Sequence, residues 1–226
     1  MVMDQLRARG IRDERVLDVM AALPREAFLP AAEADVAYAD SALPIPSGQS
    51  LSQPYMVALM TELLAPRPGM RLLEVGTGSG YQAAVLAAIG CHVLTIERHA
   101  DLTEQARAAL ADARLEELFP GLAGRIEIEI GDGSLGWPAS APFEGILVTA
   151  AAPRIPESLR GQLADGGRLV LPVGPMRGQE LIQVTRSGET YEERPFGGCV
   201  FVPLIGAEGY AEEETRRRRW RPGGWI

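Results

Sequence analysis

The chain has 226 residues, 46% of them hydrophobic and 23% charged, with a formal net charge of −8. That length can bury a substantial core in one large domain, while the acidic balance argues against bulk attraction to nucleic acid or to an anionic membrane. No Lys occurs anywhere in the chain, which excludes a P-loop lysine, a Schiff base and any other Lys-dependent chemistry.

The remaining composition is consistent with a reduced cytosolic protein. Cys91 and Cys199 stand far apart without metal-type spacing, and two His are too few for a His-rich site. Reduced thiols and a cytoplasmic location are the expectation. Asp4, Arg7 and Arg9 precede any apolar run, unlike a signal peptide. No stretch approaches the ~18 uninterrupted apolar residues of a membrane span. A monomer without nucleic-acid or membrane partners is expected.

In chain order, Asp13 can cap an amphipathic helix with Val16, Leu17, Met20 and Leu23 on one face, stopped by Pro24. The stretch from Pro24 to Gln53 has a broken pattern and is longer than most connections in compact domains; such loops are often functional. Ser52 is placed to cap a second helix running to about Leu64, with Pro54 in its first turn. Arg71–Val75 is short, apolar and suited to a buried parallel strand. Gly76, Gly78 and Gly80 then form a turn that lets backbone approach a ligand. An Ala-rich helix follows from Tyr81 and ends at Gly90.

His92–Ile96 is a second strand, closed by Glu97. This carboxylate lies about twenty residues beyond the glycines, the spacing that lets it hold the hydroxyls of a ribose. Asp101 and Glu104 suggest a capping box for a helix to about Leu115. Ile126, Ile128 and Ile130 alternate with Glu127 and Glu129 as a strand with one solvated face, ending at Gly131-Asp132-Gly133. Phe143–Thr149 and Arg168–Val173 are further strands, with a short helix near Pro156–Leu163. Glu180–Thr185 and Cys199–Ile205 are strand candidates, and Ser187-Gly188 between them suggests a hairpin. The alternation predicts an α/β fold with a mostly parallel sheet and an antiparallel C-terminal end. The chain divides into an N-terminal helix and substrate-loop segment (1–53), a cofactor-binding core (54–206) and a charged Arg-rich tail (207–226). In that tail Glu212–Glu214 precede Arg residues by four positions, the favourable order for helical ion pairs.

The glycine turn discriminates among nucleoside ligands. A dinucleotide fingerprint requires a glycine where Tyr81 stands. The spacing here is G-x-G-x-G, preceded by Glu74, a carboxylate better suited to a cationic ligand than to a pyrophosphate. Glu74-x-Gly-x-Gly-x-Gly, Glu97 and Gly131-Asp132-Gly133 together resemble the S-adenosylmethionine-dependent methyltransferases, which implies a Rossmann-like doubly wound sheet with helices on both faces.

Outside that segment, Tyr38-Ala-Asp40, Gly48-Gln-Ser-Leu-Ser-Gln-Pro-Tyr55, Thr149-Ala-Ala-Ala-Pro153, Leu171-Pro-Val-Gly174 and Phe201-Val-Pro-Leu204 resemble the protein-L-isoaspartate O-methyltransferase family. The resemblance runs from about Tyr38 to Gly206. It implies methyl transfer from S-adenosyl-L-methionine, leaving S-adenosyl-L-homocysteine, to the free α-carboxylate of isoaspartyl residues in damaged proteins and peptides, with repair proceeding through a succinimide. It further implies Ser52 as the catalytic, substrate-orienting residue, and Val202, Pro203 and Leu204 as substrate contacts. The implied cofactor set is Ser50, Leu51, Ser52, Glu74, Gly76, Thr77, Gly78, Gly80, Glu97, Arg98, Asp132 and Gly133, with no metal. An ionised carboxylate acceptor needs alignment rather than a strong base, so the lack of a candidate catalytic His or Cys agrees with that chemistry. Pro46 stands where the family usually has Gly. Two other readings remain: a methyltransferase of the same fold acting on a small molecule or another protein site, and a non-catalytic cofactor-binding module.

Overall fold

The computed structural model describes residues 1–216, 220–221 and 224–225. Asp13 caps α1 (Glu14–Ala22) as expected, its side chain accepting from the Arg15 amide at 3.0 Å. The segment after Pro24 makes two short 3-10 turns and then a hairpin of β1 (Leu43–Ile45) and β2 (Gln49–Leu51). Pro46-Ser47-Gly48 closes that hairpin, with Ser47 and Gly48 both at positive φ (56° and 67°). The Ser47 hydroxyl donates to Asp101 Oδ2 at 2.6 Å and ties the hairpin to the helix beyond the second parallel strand. α2 (Pro54–Leu64) has Pro54 in its first turn, but its N-cap is Gln53, without a side-chain bond. Ser52 lies one residue too early to cap it.

The main sheet contains β3 (Arg71–Val75), β4 (His92–Glu97), β5 (Ile126–Ile130), β6 (Phe143–Val148), β7 (Leu163–Val173), β8 (Gln179–Ser187) and β9 (Thr190–Cys199). Their order is β5-β4-β3-β6-β7-β8-β9. The first five are parallel, and β8 and β9 add antiparallel hairpins in sequence order. The expected antiparallel end is present, but its second arm differs. Thr190–Cys199 is the strand, while the proposed Cys199–Ile205 is an extended segment with isolated bridges only. β9 is an edge strand, largely exposed on both faces, so no apolar alternation marks it.

α3 (Tyr81–Ala88), α4 (Ala100–Leu110) and α5 (Ala113–Leu118) follow β3 and β4. The Asp101–Glu104 capping box does not form: His99 is the N-cap of α4, and Asp101 instead binds Ser47. The helix expected to reach Leu115 is broken near Asp112, whose side chain caps α5. α6 spans Glu157–Gly161, and α7 covers Glu212–Arg216. Residues 217–219 of the Arg-rich tail, and the Glu–Arg pairing expected there, lie outside the described residues.

Strand periodicity divides the core. Leu72, Val93, Leu147 and Val170 face α1 to α4. Their neighbours Leu73, Val75, Leu94, Ile96, Ile146 and Val148 face α6 and the loops around it. Each such side chain stabilises the fold by about 1.5–3 kcal/mol on burial. The sheet is therefore doubly wound, with the thicker helical layer on the α1–α4 face. Both cysteines are free.

Candidate active site

Strand order reverses between β3 and its two neighbours, β4 and β6, and such a switch point opens a crevice at the strands' carboxyl ends. A cleft of about 1210 Å³, including solvent at its mouth, lies there. The glycine turn forms its floor. Gly76, Gly78 and Gly80 have φ of 95°, 54° and 88°, a region that favours glycine. The turn is held by bonds from the Gly76 amide to the Ile96 carbonyl (2.9 Å) and from the Gly80 amide to the Thr77 carbonyl (2.8 Å). A Cβ on Gly76 would lie 2.3 Å from Thr149 Oγ1, so packing as well as ligand approach requires the glycine.

Glu97 ends β4 at the cleft wall and is 5% exposed. Its Oε2 accepts from the Gly78 amide at 2.9 Å, and its Oε1 from the amides of Arg98 and His99 at 2.8 and 3.0 Å. Two carboxylate oxygens accept about four hydrogen bonds, so the three amides fix the group and leave capacity for a ribose hydroxyl. Arg98 lines the same wall, its guanidinium 3.7 Å from Glu212 of α7.

Glu74 behaves differently from its neighbours. As the fourth residue of a buried strand it points beneath the turn and does not line the cleft. It is fully buried; Oε2 accepts from the Thr95 hydroxyl at 2.5 Å, and Oε1 has no partner. Burial pushes its pKa up to about 8, against the opposing Thr95 bond. Thr95 in turn contacts the Thr77 hydroxyl at 2.7 Å, and Thr77 lines the cleft. A cation in the cleft above would favour the ionised form of this carboxyl and offset its orphaned oxygen.

Ser50, Leu51, Ser52, Thr77, Gly78, Gly133, Val202, Pro203 and Leu204 line the cleft as well, whereas Gly80 and Asp132 do not. A Cβ on Gly80 would pack 3.3 Å from Ala106 Cβ, which makes it a helix-packing residue. Both Asp132 oxygens are occupied: Oδ1 accepts from the Ser134 amide and hydroxyl, and Oδ2 from the Ala207 amide at 2.7 Å. Asp132 thus anchors the loop after Leu204.

Thr149, Gln82 and His99 also line the cleft, and the sequence reading did not single them out. Thr149 follows the last residue of β6, and a position just past a parallel strand at the switch point is a usable signal. Glu212 and Thr215 of α7 reach the cleft from more than 100 residues away, which no local pattern marks.

Ser52 occupies the junction of two cavities. It and Ser50 line both the cofactor cleft and a second cavity walled by Arg9, Asp40, Tyr55, Phe196 and Val200. The Ser52 hydroxyl has no hydrogen-bond partner among the described residues, while its carbonyl accepts from Arg25 Nη2 at 2.7 Å. Nearby, Val202–Leu204 is already paired on one side. The Val202 carbonyl accepts from Ala151, Leu204 donates to Ala151, and the Leu204 carbonyl accepts from Tyr210. Among the described residues the Pro203 carbonyl has no hydrogen-bond partner.

The family model described as protein-L-isoaspartate(D-aspartate) O-methyltransferase matches residues 1–209. A protein-L-isoaspartate O-methyltransferase of Methylorubrum populi is 55% identical over 212 residues, covering 93% of this chain and 96% of the relative. One from Rhodopseudomonas palustris is 46% identical over 226 residues, covering 99% and 100%. Among solved structures, a protein-L-isoaspartate O-methyltransferase superposes with a TM-score of 0.75 at 26% identity, covering 93% of this chain and 67% of that one. A Plasmodium falciparum structure named for the same activity, in complex with S-adenosyl-L-homocysteine, shares the fold with a TM-score of 0.76 at 24% identity, covering 90% and 96%. With the family model matched over residues 1–209 and relatives at 55% and 46% identity covered nearly end to end, the chain belongs to the protein-L-isoaspartate(D-aspartate) O-methyltransferase family.

Proposed function

We propose that Ser52 holds the α-carboxylate of an isoaspartyl residue at the junction of the two cavities, with the peptide in the second and the cofactor in the first. The activity is S-adenosylmethionine-dependent methylation of isoaspartyl residues. The observation that carries the site assignment is the unpaired Ser52 hydroxyl on the wall common to both cavities.

The cofactor supplies an electrophilic methyl group on a sulfonium centre. Glu97 accepts from the ribose, and the turn at Gly76–Gly78 lets the chain pass close to the amino-acid end. Glu74 acts from below through Thr95 and Thr77. The acceptor is ionised near neutral pH, because free carboxyl groups titrate near 4. The residues around it therefore align oxygen, methyl and sulfur and exclude water. Ser52 donates to one carboxylate oxygen and leaves the other directed at the methyl group. The Pro203 carbonyl is placed to accept from a peptide amide.

The chain acts as a monomer in the cytoplasm, without nucleic acid. Its net charge of −8 and the scattering of its exposed apolar side chains, such as Met3, Leu118 and Ile130, support this reading. A single domain, with 1–53 as substrate segment and 54–206 as core, agrees with both apolar layers sharing one sheet. The test is Ser52→Ala. Turnover of an isoaspartyl peptide should fall at least about tenfold, for one charge-assisted hydrogen bond, while S-adenosyl-L-homocysteine binds unchanged. Equal loss of both, or of neither, would remove Ser52 from this role.

A further inference from the structure

Arg25 is the largest fully buried side chain and has no carboxylate in ion-pair contact among the described residues. It opens the 3-10 turn Arg25–Phe28 directly after Pro24. Its Nε donates to the Ala37 carbonyl and its Nη2 to the Ser52 carbonyl, both at 2.7 Å. Its guanidinium lies 4.9 Å from the centroid of the Tyr81 ring, the first residue of the helix after the glycine turn. Nη1 and the Tyr81 hydroxyl are buried without partners. A guanidinium does not lose its proton in proteins, and a buried charge is strongly unfavourable unless compensated. Here compensation comes from two carbonyl dipoles, the Tyr81 aromatic face and the nearby Tyr81 and Tyr38 hydroxyls, with no carboxylate in contact among the described residues.

The other arginines near the site differ. Arg9, in the wall of the second cavity, is half-exposed and 3.2 Å from Asp40; Arg98 is paired with Glu212. Arg25 is the buried cation beside Ser52 without an anion. We infer that Arg25 is a positioning residue for the methyl acceptor: it fixes the Ser52 peptide through its carbonyl and provides the buried positive charge against which the substrate carboxylate binds. This rests on Ser52 as the carboxylate site. The substrate's own carboxylate completes the charge balance, so the site discriminates an ionised acceptor from a neutral one. Tyr81, Tyr38 and Glu26 are the other titratable groups around it. Tyr38 receives the Arg25 amide at 3.3 Å and donates to Glu26 at 2.5 Å on the exposed side of the turn.

The experiment compares the binding, in the presence of S-adenosyl-L-homocysteine, of an isoaspartyl peptide and of the same peptide with its α-carboxylate converted to a carboxamide, to wild type, R25K and R25Q. Wild type should prefer the carboxylate by about tenfold or more, as expected for a poorly screened charge several ångströms away. That preference should persist in high salt, because a buried pair is screened little. R25K should keep most of the preference while losing turnover, since the fork that fixes Ser52 is gone. R25Q should bind both peptides alike, with S-adenosyl-L-homocysteine affinity unchanged. A purely structural clip would weaken both peptides equally. An unchanged preference in folded R25Q, a lost one in folded R25K, or its collapse with salt in wild type would overturn the inference. The wild-type salt series applies even if a variant does not fold. If Ser52→Ala leaves turnover intact, the acceptor site itself is misplaced; if it abolishes turnover while R25Q keeps the preference, only the role of Arg25 fails.

Discussion

At the scale of single residues, backbone amides and buried oxygens fix the carboxyl groups around the cleft. Glu97 is fixed by three amides, so its charge and both oxygens matter. Glu97→Gln places an amide NH2 where acceptors are required, and S-adenosyl-L-homocysteine affinity should fall about 10- to 100-fold by calorimetric titration. Glu74 gives a distinct pH signature. Its folded pKa, about 8, is raised above the ordinary carboxyl value of 4.5 by burial. The folded state therefore binds the extra proton between those values. Its contribution to the stability of the ligand-free protein is fully present below the unfolded pKa and is lost as pH rises through the folded one. Denaturant unfolding from pH 4.5 to 8.5 should show this decline, and Glu74→Gln should flatten it; an identical slope in the variant would contradict the assignment. The motif made Glu97, the glycines and Ser52 legible in sequence. Glu74 and Asp132 were legible as motif members, but the bonds they make within the protein were not. Strand alternation turns Glu74 under the turn, and Asp132 is claimed by Ala207, 75 residues away.

At the scale of elements, the glycine turn, the β1–β2 hairpin and α7 together shape the cleft. The turn tolerates no side chain at Gly76, where both the positive φ and the contact with Thr149 act. Gly76→Ala should destabilise the fold by about 1–3 kcal/mol in chemical denaturation. α7 contributes Glu212 and Thr215 to the cleft wall. A chain ending at Ala211 should bind S-adenosyl-L-homocysteine several-fold more weakly than one ending at Arg216, about 1 kcal/mol for the lost contacts and the partly exposed pair with Arg98. The parallel strands and their helices were readable because buried strands carry unbroken apolar runs. β9 was not, since its exposed polar residues obey no period, and the extended 201–205 segment borrowed its apolar look from packing against Ala151. Ser52 seemed a helix cap because Ser commonly is one, yet the helix begins after Gln53 and leaves that hydroxyl unpaired.

At the scale of the whole molecule, a doubly wound sheet sets the donor cleft at its switch point, and the long segment before α2 brings the acceptor site to its rim. Among the described residues the one fully buried arginine, Arg25, donates to the Ser52 carbonyl behind that rim. Spacing alone pointed to a nucleoside site. The sulfonium cofactor and the acceptor half came through resemblance, because loops carry no periodicity from which geometry follows. The most direct test is methyl transfer from labelled S-adenosylmethionine to a matched pair of peptides that differ only in an isoaspartyl or aspartyl linkage. The isoaspartyl peptide should be labelled, as a base-labile methyl ester, and the aspartyl peptide should not. Equal labelling of both, or labelling of neither by protein that still binds S-adenosyl-L-homocysteine, would contradict it.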